Sequence, residues 1–150
     1  MAAGEDLTDD RTLTSEEQAN VEAIRRFVDL YNGDDMKAFV TECYHPDAKV
    51  TVLDGVDYDG REASISSHDT FIELESFIKA ETPGRRIVVE RTIAAGNTVT
   101  IEAVLADDNR PDFRLAWCGI YTFKDGLITS DHSYLNHRHW PGLLKAVGQA

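Results

Sequence analysis

Residues 117–136 constrain the fold more than any other stretch, because two runs of alternating character flank Lys124-Asp125-Gly126. Asp-Gly readily takes the positive φ angles a tight hairpin needs, so the segment is predicted to be two antiparallel strands. Aromatic residues alternate along the first strand, while hydroxyl, carboxylate and imidazole groups crowd the second. One face of such a hairpin must be buried, so every second polar group should point inward. The expected result is a polar-lined pocket.

The upstream sequence supplies what would cover that pocket. Thr14-Ser-Glu-Glu17 has the Thr-x-x-Glu form of a capping box and opens a helix whose inner face is Val21, Ile24, Phe27, Val28 and Tyr31, stopped by Asn32-Gly33. Asp34 or Asp35 caps a second helix with Met36, Phe39, Val40 and Cys43 inward, ended by His45-Pro46. Residues 50–53 alternate as a strand, and Asp54-Gly and Asp59-Gly mark turns. Thr70-Phe-Ile-Glu73 predicts the start of a third helix with Phe71, Leu74, Phe77 and Ile78 inward. The period then changes to two across residues 86–94, 98–106 and 113–123, with a last strand after Gly126. Helices first and strands later predict an α+β domain, an antiparallel sheet wrapped on three helices.

At 150 residues and 42% hydrophobic, the chain is long enough for one real core and too short for two. Residues 1–13, with four acidic side chains, are expected to be a disordered tail, leaving residues 14–150 as the domain. The 15 Lys and Arg against 27 Asp and Glu give a net charge of −12, which repels phosphate backbones and anionic lipids. No nucleic-acid or membrane partner is expected. There is no apolar run of roughly 18 residues and no secretory leader pattern, so a cytoplasmic location is expected. Cys43 and Cys118 form no Cys-x-x-Cys pair and are read as buried, inert thiols.

The order of these elements, with Tyr31-Asn-Gly-Asp-Asp35, His45-Pro-Asp-Ala-Lys-Val50 and the Lys-Asp-Gly hairpin, resembles the nuclear transport factor 2-like superfamily across residues 16–145. The resemblance implies a cone-shaped α+β domain enclosing a pocket. Members include ketosteroid isomerases, limonene epoxide hydrolases, scytalone-type dehydratases, SnoaL-type polyketide cyclases and modules that only bind, so fold alone does not settle function. Where the epoxide hydrolases carry an Arg-x-Asp pair and a second Asp, this chain has Ala103, Leu105 and Ser133. Where the steroid isomerases carry Tyr and two Asp, it has Phe27, Val52 and Gly119. Neither machinery is present.

The same comparison implies which strand faces line the pocket. Val99, Ile101, Ala103 and Leu105 form an apolar wall; Phe113, Leu115, Trp117, Tyr121 and Phe123 face them; Thr129, Asp131, Ser133 and Leu135 come from the last strand, and Val50, Val52 and Asp54 from the first. A one-residue bulge would reverse the last strand and bring in His132, Tyr134 and Asn136 instead. The lining suits an uncharged apolar or aromatic small molecule, with Phe27, Leu105, Phe113, Trp117, Tyr121, Ser133 and Asp54 as expected contacts. Asp131 is the catalytic candidate, since a carboxyl group in an apolar cone has a raised pKa suited to moving a proton beside a carbonyl. The alternative for it is a solvated acid at a strand edge, or the partner of an Arg.

Tyr31 stands where scytalone-type dehydratases carry a Tyr-Asp pair, so it would donate to a substrate carbonyl; otherwise it is a core aromatic. His68 precedes the third helix and would be a base, or else an exposed helix-start residue. His132, His137 and His139 lack the spacing and companions of a metal site, and neither metal nor cofactor is expected. Two functions remain: a cofactor-independent cyclase, isomerase or dehydratase, or a module that binds a ligand or assembles without chemistry. A homodimer is expected through the outer sheet face, where Thr98, Thr100, Glu102, Val104, Ile120, His132 and Tyr134 would lie.

Overall fold

Thr14 opens the first helix as its sequence requires. In the computed structural model, which describes residues 12–53 and 63–146, its hydroxyl accepts from Glu17 N at 3.1 Å while Glu17 Oε1 accepts from Thr14 N at 2.9 Å. Glu17 is buried, and its second oxygen accepts from Gly96 N at 3.1 Å, so one carboxylate caps the helix and ties it to a distant hairpin. Helix α1 (Ser15–Tyr31) buries Ile24, Phe27 and Tyr31, with Val21 and Val28 partly covered. Asn32 ends it and clamps the backbone of a distant segment, accepting from Ile87 N at 2.8 Å and donating to Ile87 O at 3.1 Å. Asp35 caps α2 (Met36–Cys43) by accepting from Ala38 N.

Two elements begin earlier than the sequence reading places them. Strand β1 runs Tyr44–Leu53, directly from α2 and through Pro46. Proline cannot donate to a ladder, and pairing with the last strand, Leu127–Tyr134, is irregular between Tyr44 and Lys49, so the strand tolerates it there. Helix α3 (His68–Glu81) starts with Ser67 as its cap, so Thr70 lies inside the first turn and is not the cap. Its buried face is Phe71, Glu75, Ile78 and Lys79. Phe77, expected inward, is 45% exposed, because the face set by Phe71 and Ile78 passes through position 75.

The remaining strands are β2 (Ala63–Ile65), β3 (Arg85–Ala95), β4 (Thr98–Asp107), β5 (Arg114–Lys124) and β6 (Leu127–Tyr134). A 3₁₀ turn (His137–His139) and a short helix α4 (Pro141–Ala146) follow, beyond the three helices expected. The sheet order is β2-β1-β6-β5-β4-β3, and it wraps on the helices as an α+β cone. It is mixed where the sequence predicted antiparallel, since β1 lies parallel to β6. Of the expected acidic tail, residues 1–11 lie outside the described residues, and Leu13 packs against the core. No helix among the described residues is long and apolar enough to cross a membrane.

The β5–β6 turn forms as predicted, with φ of 53° at Asp125 and 79° at Gly126. Gly126→Ala should therefore lower stability by about 1–2 kcal/mol, the cost of holding an L-residue in the left-handed region. Urea denaturation measures this, and an unchanged midpoint would show that the hairpin does not need that geometry.

Candidate functional site

Strand β6 sets the site through a single extra residue. Pairing with β5 passes from Phe123↔Ile128 to Thr122↔Ser130, leaving Thr129 as a bulge. Ile128 is consequently buried and Thr129, expected inward, is half-buried with its hydroxyl donating to Thr122 O at 3.2 Å. The bulge precedes Asp131, so Asp131, Ser133 and Leu135 keep the inward parity that the family resemblance implies, and His132 and Tyr134 are exposed.

Asp131 is 3% exposed and accepts two short hydrogen bonds, from Tyr44 Oη to Oδ2 at 2.6 Å and from Ser133 Oγ to Oδ1 at 2.7 Å. Among the described residues no Lys or Arg pairs with it. Burial pushes its pKa from the ordinary 3.8 up to about 6, against the opposing pull of the two hydroxyls. Tyr44 and Tyr121 are both held well above the usual phenol range, by burial and by Asp131, so each stays protonated.

A cavity of about 40 Å³ adjoins this carboxyl. Asp131, Ser133, Tyr31, Phe27 and Trp117 line it together, as the sequence reading expects, and Val50 and Val52 add the β1 wall. The aromatic floor is continuous: Phe27 packs on Phe39 at 5.1 Å between ring centroids, Phe39 on Tyr44 at 5.7 Å, and Tyr31 on Trp117 at 5.6 Å. Tyr121 pairs across the sheet with Asp131 and packs on Phe27 at 5.2 Å, but it stands behind the cavity wall. Gly119 makes room for it, since a Cβ there would collide with the Tyr121 ring.

Three further expected site residues are placed elsewhere. Leu105 is fully buried in the core without reaching the cavity, and Phe113 is half-buried beneath Arg110, whose guanidinium lies 4.7 Å from its ring. His68 stays outside, its Nε2 3.0 Å from the carbonyl oxygens of both Tyr44 and His45. Because carbonyls only accept, that nitrogen carries a proton and cannot be a base. Asp54 lies outside the described residues.

The sequence reading missed Tyr44, Glu75, Trp140 and Leu143, all of which line the cavity. Behind Glu75 lies Arg85, 1% exposed, donating to Glu75 Oε2 at 3.0 Å and resting 3.9 Å above the Tyr31 ring. Burial raises the Glu75 pKa while Arg85 pulls it back down. Glu75 was legible, being four residues after Phe71 and three before Ile78.

Cys43 is buried, with its thiol pushed up to about 12, while Cys118 is only half-buried; both are unpaired. Among the described residues, no three His, Cys, Asp or Glu side chains converge where they would hold a metal ion. Val104, expected on the outer face, is already buried within the chain.

Residues 24–131 match the model of a family described as the SnoaL-like domain. No curated protein matches the chain. Among solved structures, a candidate SnoaL-like polyketide cyclase from Jannaschia sp. CCS1 superposes with a TM-score of 0.66 at 17% identity, over 84% of this chain and 91% of that one. A protein with a ketosteroid isomerase-like fold from Catenulispora acidiphila, in complex with trimethylamine, gives 0.60 at 21% identity over 75% and 84%. An LEH-like epoxide hydrolase from M. tuberculosis gives 0.57 at 20% identity over 88% and 94%. At these identities the likeness establishes the cone fold.

The raised pKa carries a stability consequence. A carboxyl whose folded pKa lies above its unfolded one favours the fold below about pH 4, and that contribution is lost as pH rises through about 6. Asp131→Asn removes the ionisation, so its stability relative to the parent should climb between pH 4 and 7, by on the order of 3 kcal/mol. Denaturation at several pH values measures the difference. A flat difference, or one that falls with pH, contradicts the raised pKa.

Proposed function

The chain belongs to the SnoaL-like domain family, and from that premise we propose that it is a cofactor-independent enzyme, a cyclase, isomerase or dehydratase that moves a proton beside a carbonyl group. The observation that carries this reading is Asp131, a buried carboxyl held by two hydroxyls, without a cationic partner among the described residues, and with a pKa of about 6. A base of that strength is ionised at neutral pH and still strong enough to take a proton from a carbon acidified by its neighbouring carbonyl.

In this scheme an Asp131 oxygen removes the proton, the C–H electron pair moves into the carbonyl, and the enolate oxygen is met by the Tyr31 hydroxyl. Return of that proton from Asp131 completes each outcome: delivered to another carbon it isomerises the substrate, delivered to the alkoxide formed when the enolate attacks a second carbonyl it completes ring closure, and delivered to a departing β-hydroxyl it releases water. Tyr44 and Ser133 tune the base, and His68 acts through the backbone of Tyr44 as a positioning residue. A cyclic or polyketide-like ketone is the substrate class, and the cone acts as a homodimer in the cytoplasm.

The cavity's size supports a second reading, in which the protein binds a ligand or assembles without turning anything over. About 40 Å³ is far below the hundreds of Å³ that hold drug-sized ligands. Deuterium uptake beside the carbonyl of cyclic ketones in D₂O separates the two. The enzyme reading predicts uptake that rises through about pH 6 to a plateau and falls at least ~100-fold in Asp131→Asn. Uptake unchanged in the variant removes Asp131 from the chemistry, and no uptake with any ketone leaves the binding reading.

A further inference from the structure

Three donors on the cavity wall have no hydrogen-bond partner among the described residues: Tyr31 Oη, Trp117 Nε1 and Trp140 Nε1. Their side chains are 1%, 7% and 3% exposed, so solvent at the protein surface does not satisfy them. They form one cluster, with Trp117 5.6 Å from Tyr31 and 6.4 Å from Trp140 between ring centroids. Leaving a buried donor unpaired costs more than a hydrogen bond returns, so three together call for an occupant.

The chemistry of the donors selects it. An indole N–H can only donate, and burial holds the Tyr31 hydroxyl above the usual phenol range, so it too stays protonated. The occupant must therefore bring an acceptor. Charge narrows the choice, because Asp131 and Glu75 already line the cavity and Arg85 is paired with Glu75 at 3.0 Å. A carboxylate ligand would add another buried anion with no free cation to meet it among the described residues that line the cavity. Arg85 Nε and Nη1 also lack partners, but Arg85 stands behind the wall, where its charge strengthens Tyr31 as a donor from 3.9 Å.

We propose that Tyr31, Trp117 and Trp140 form a binding site for the oxygen of a neutral carbonyl group, that of a ketone, aldehyde or ester. The proposal rests on reading this cavity as the substrate site and names what the substrate must carry into it. At about 40 Å³ the described cavity takes the carbonyl and its immediate substituents. The three donors would stabilise negative charge developing on that oxygen when Asp131 removes a proton.

The chain contains 2 tryptophans, and both are in this cluster, so the two indole N–H signals in a ¹H–¹⁵N spectrum report on the site alone. Acetone, acetate and isobutene share one branched shape and differ in what they offer the donors. Titrated to on the order of 0.5 M, beyond the weakest affinity expected of so small a ligand, acetone should saturably move both indole protons downfield. Isobutene should not do so, and acetate at pH 8 should bind at least ~10-fold more weakly than acetone. Trp117→Phe and Trp140→Phe keep a ring, assign the signals, and should each weaken acetone about 3- to 10-fold.

The oxygen site is overturned if acetone leaves the wild-type indole protons unmoved, if isobutene moves them equally, or if acetate binds more tightly. Repeating the acetone titration with Asp131→Asn separates the two claims. Intact indole shifts with unchanged deuterium uptake sink the acid–base reading alone, whereas lost uptake with no acetone response in either protein sinks the oxygen site alone.

Discussion

A carboxyl group buried in an apolar cone and held by hydroxyls is the interaction on which the rest of the site depends. Desolvation alone would keep Asp131 protonated, and an adjacent Arg would lower its pKa by about 1–3 units and leave a poor base. The fold avoids both limits. Parallel pairing of β1 with β6 sets Val50 beside Asp131 and carries Tyr44 at the other end of β1 to the same place, where its hydroxyl reaches Oδ2. Ser133 supplies the second bond from two residues along the same face. Arg85 is kept on Glu75 behind the wall, and Asp131 keeps no cationic partner among the described residues.

Proton removal beside a carbonyl needs a base and a sink for the electron pair. The cavity wall offers acceptor oxygens on β6 and donor N–H and O–H groups on α1, β5 and the segment before α4. Aromatic rings from α1, α2 and β1 pack together in the same wall, and an apolar surround strengthens both electrostatic interactions. The constraint is volume. A substrate larger than a small carbonyl compound must displace side chains at the wall, among them Leu74 of α3, Leu143 of α4 and Ile65 of the edge strand β2.

Much of this was legible in the sequence. Period-two alternation marked the strands, and the family resemblance said which face of them is inward, which set Trp117, Tyr121 and Asp131 on one side because a buried sheet face leaves little choice of register. Thr14 and Glu17 fixed the first helix through their own side chains. What escaped depends on contacts between distant segments. Tyr44 was lost because Pro46 hid the start of β1, although inward Val50 and Val52 extend by alternation to positions 48 and 44. Glu75 lost its place to Phe77 because hydrophobicity outweighed spacing, and only the Arg85 partner from β3 explains a buried acid there. The bulge at Thr129 has no local signature, and its position before Asp131 decides whether the carboxyl faces the cavity.

Direct titration of the Asp131 carboxyl carbon by ¹³C NMR in the unmodified protein tests the central claim. A midpoint near 6 is expected, with the Tyr44 hydroxyl proton following the same transition through its 2.6 Å bond to Oδ2. A midpoint at or below the ordinary 3.8 would mean that the carboxyl is solvated or paired with a cation, and the acid–base reading of this cavity would fall with it.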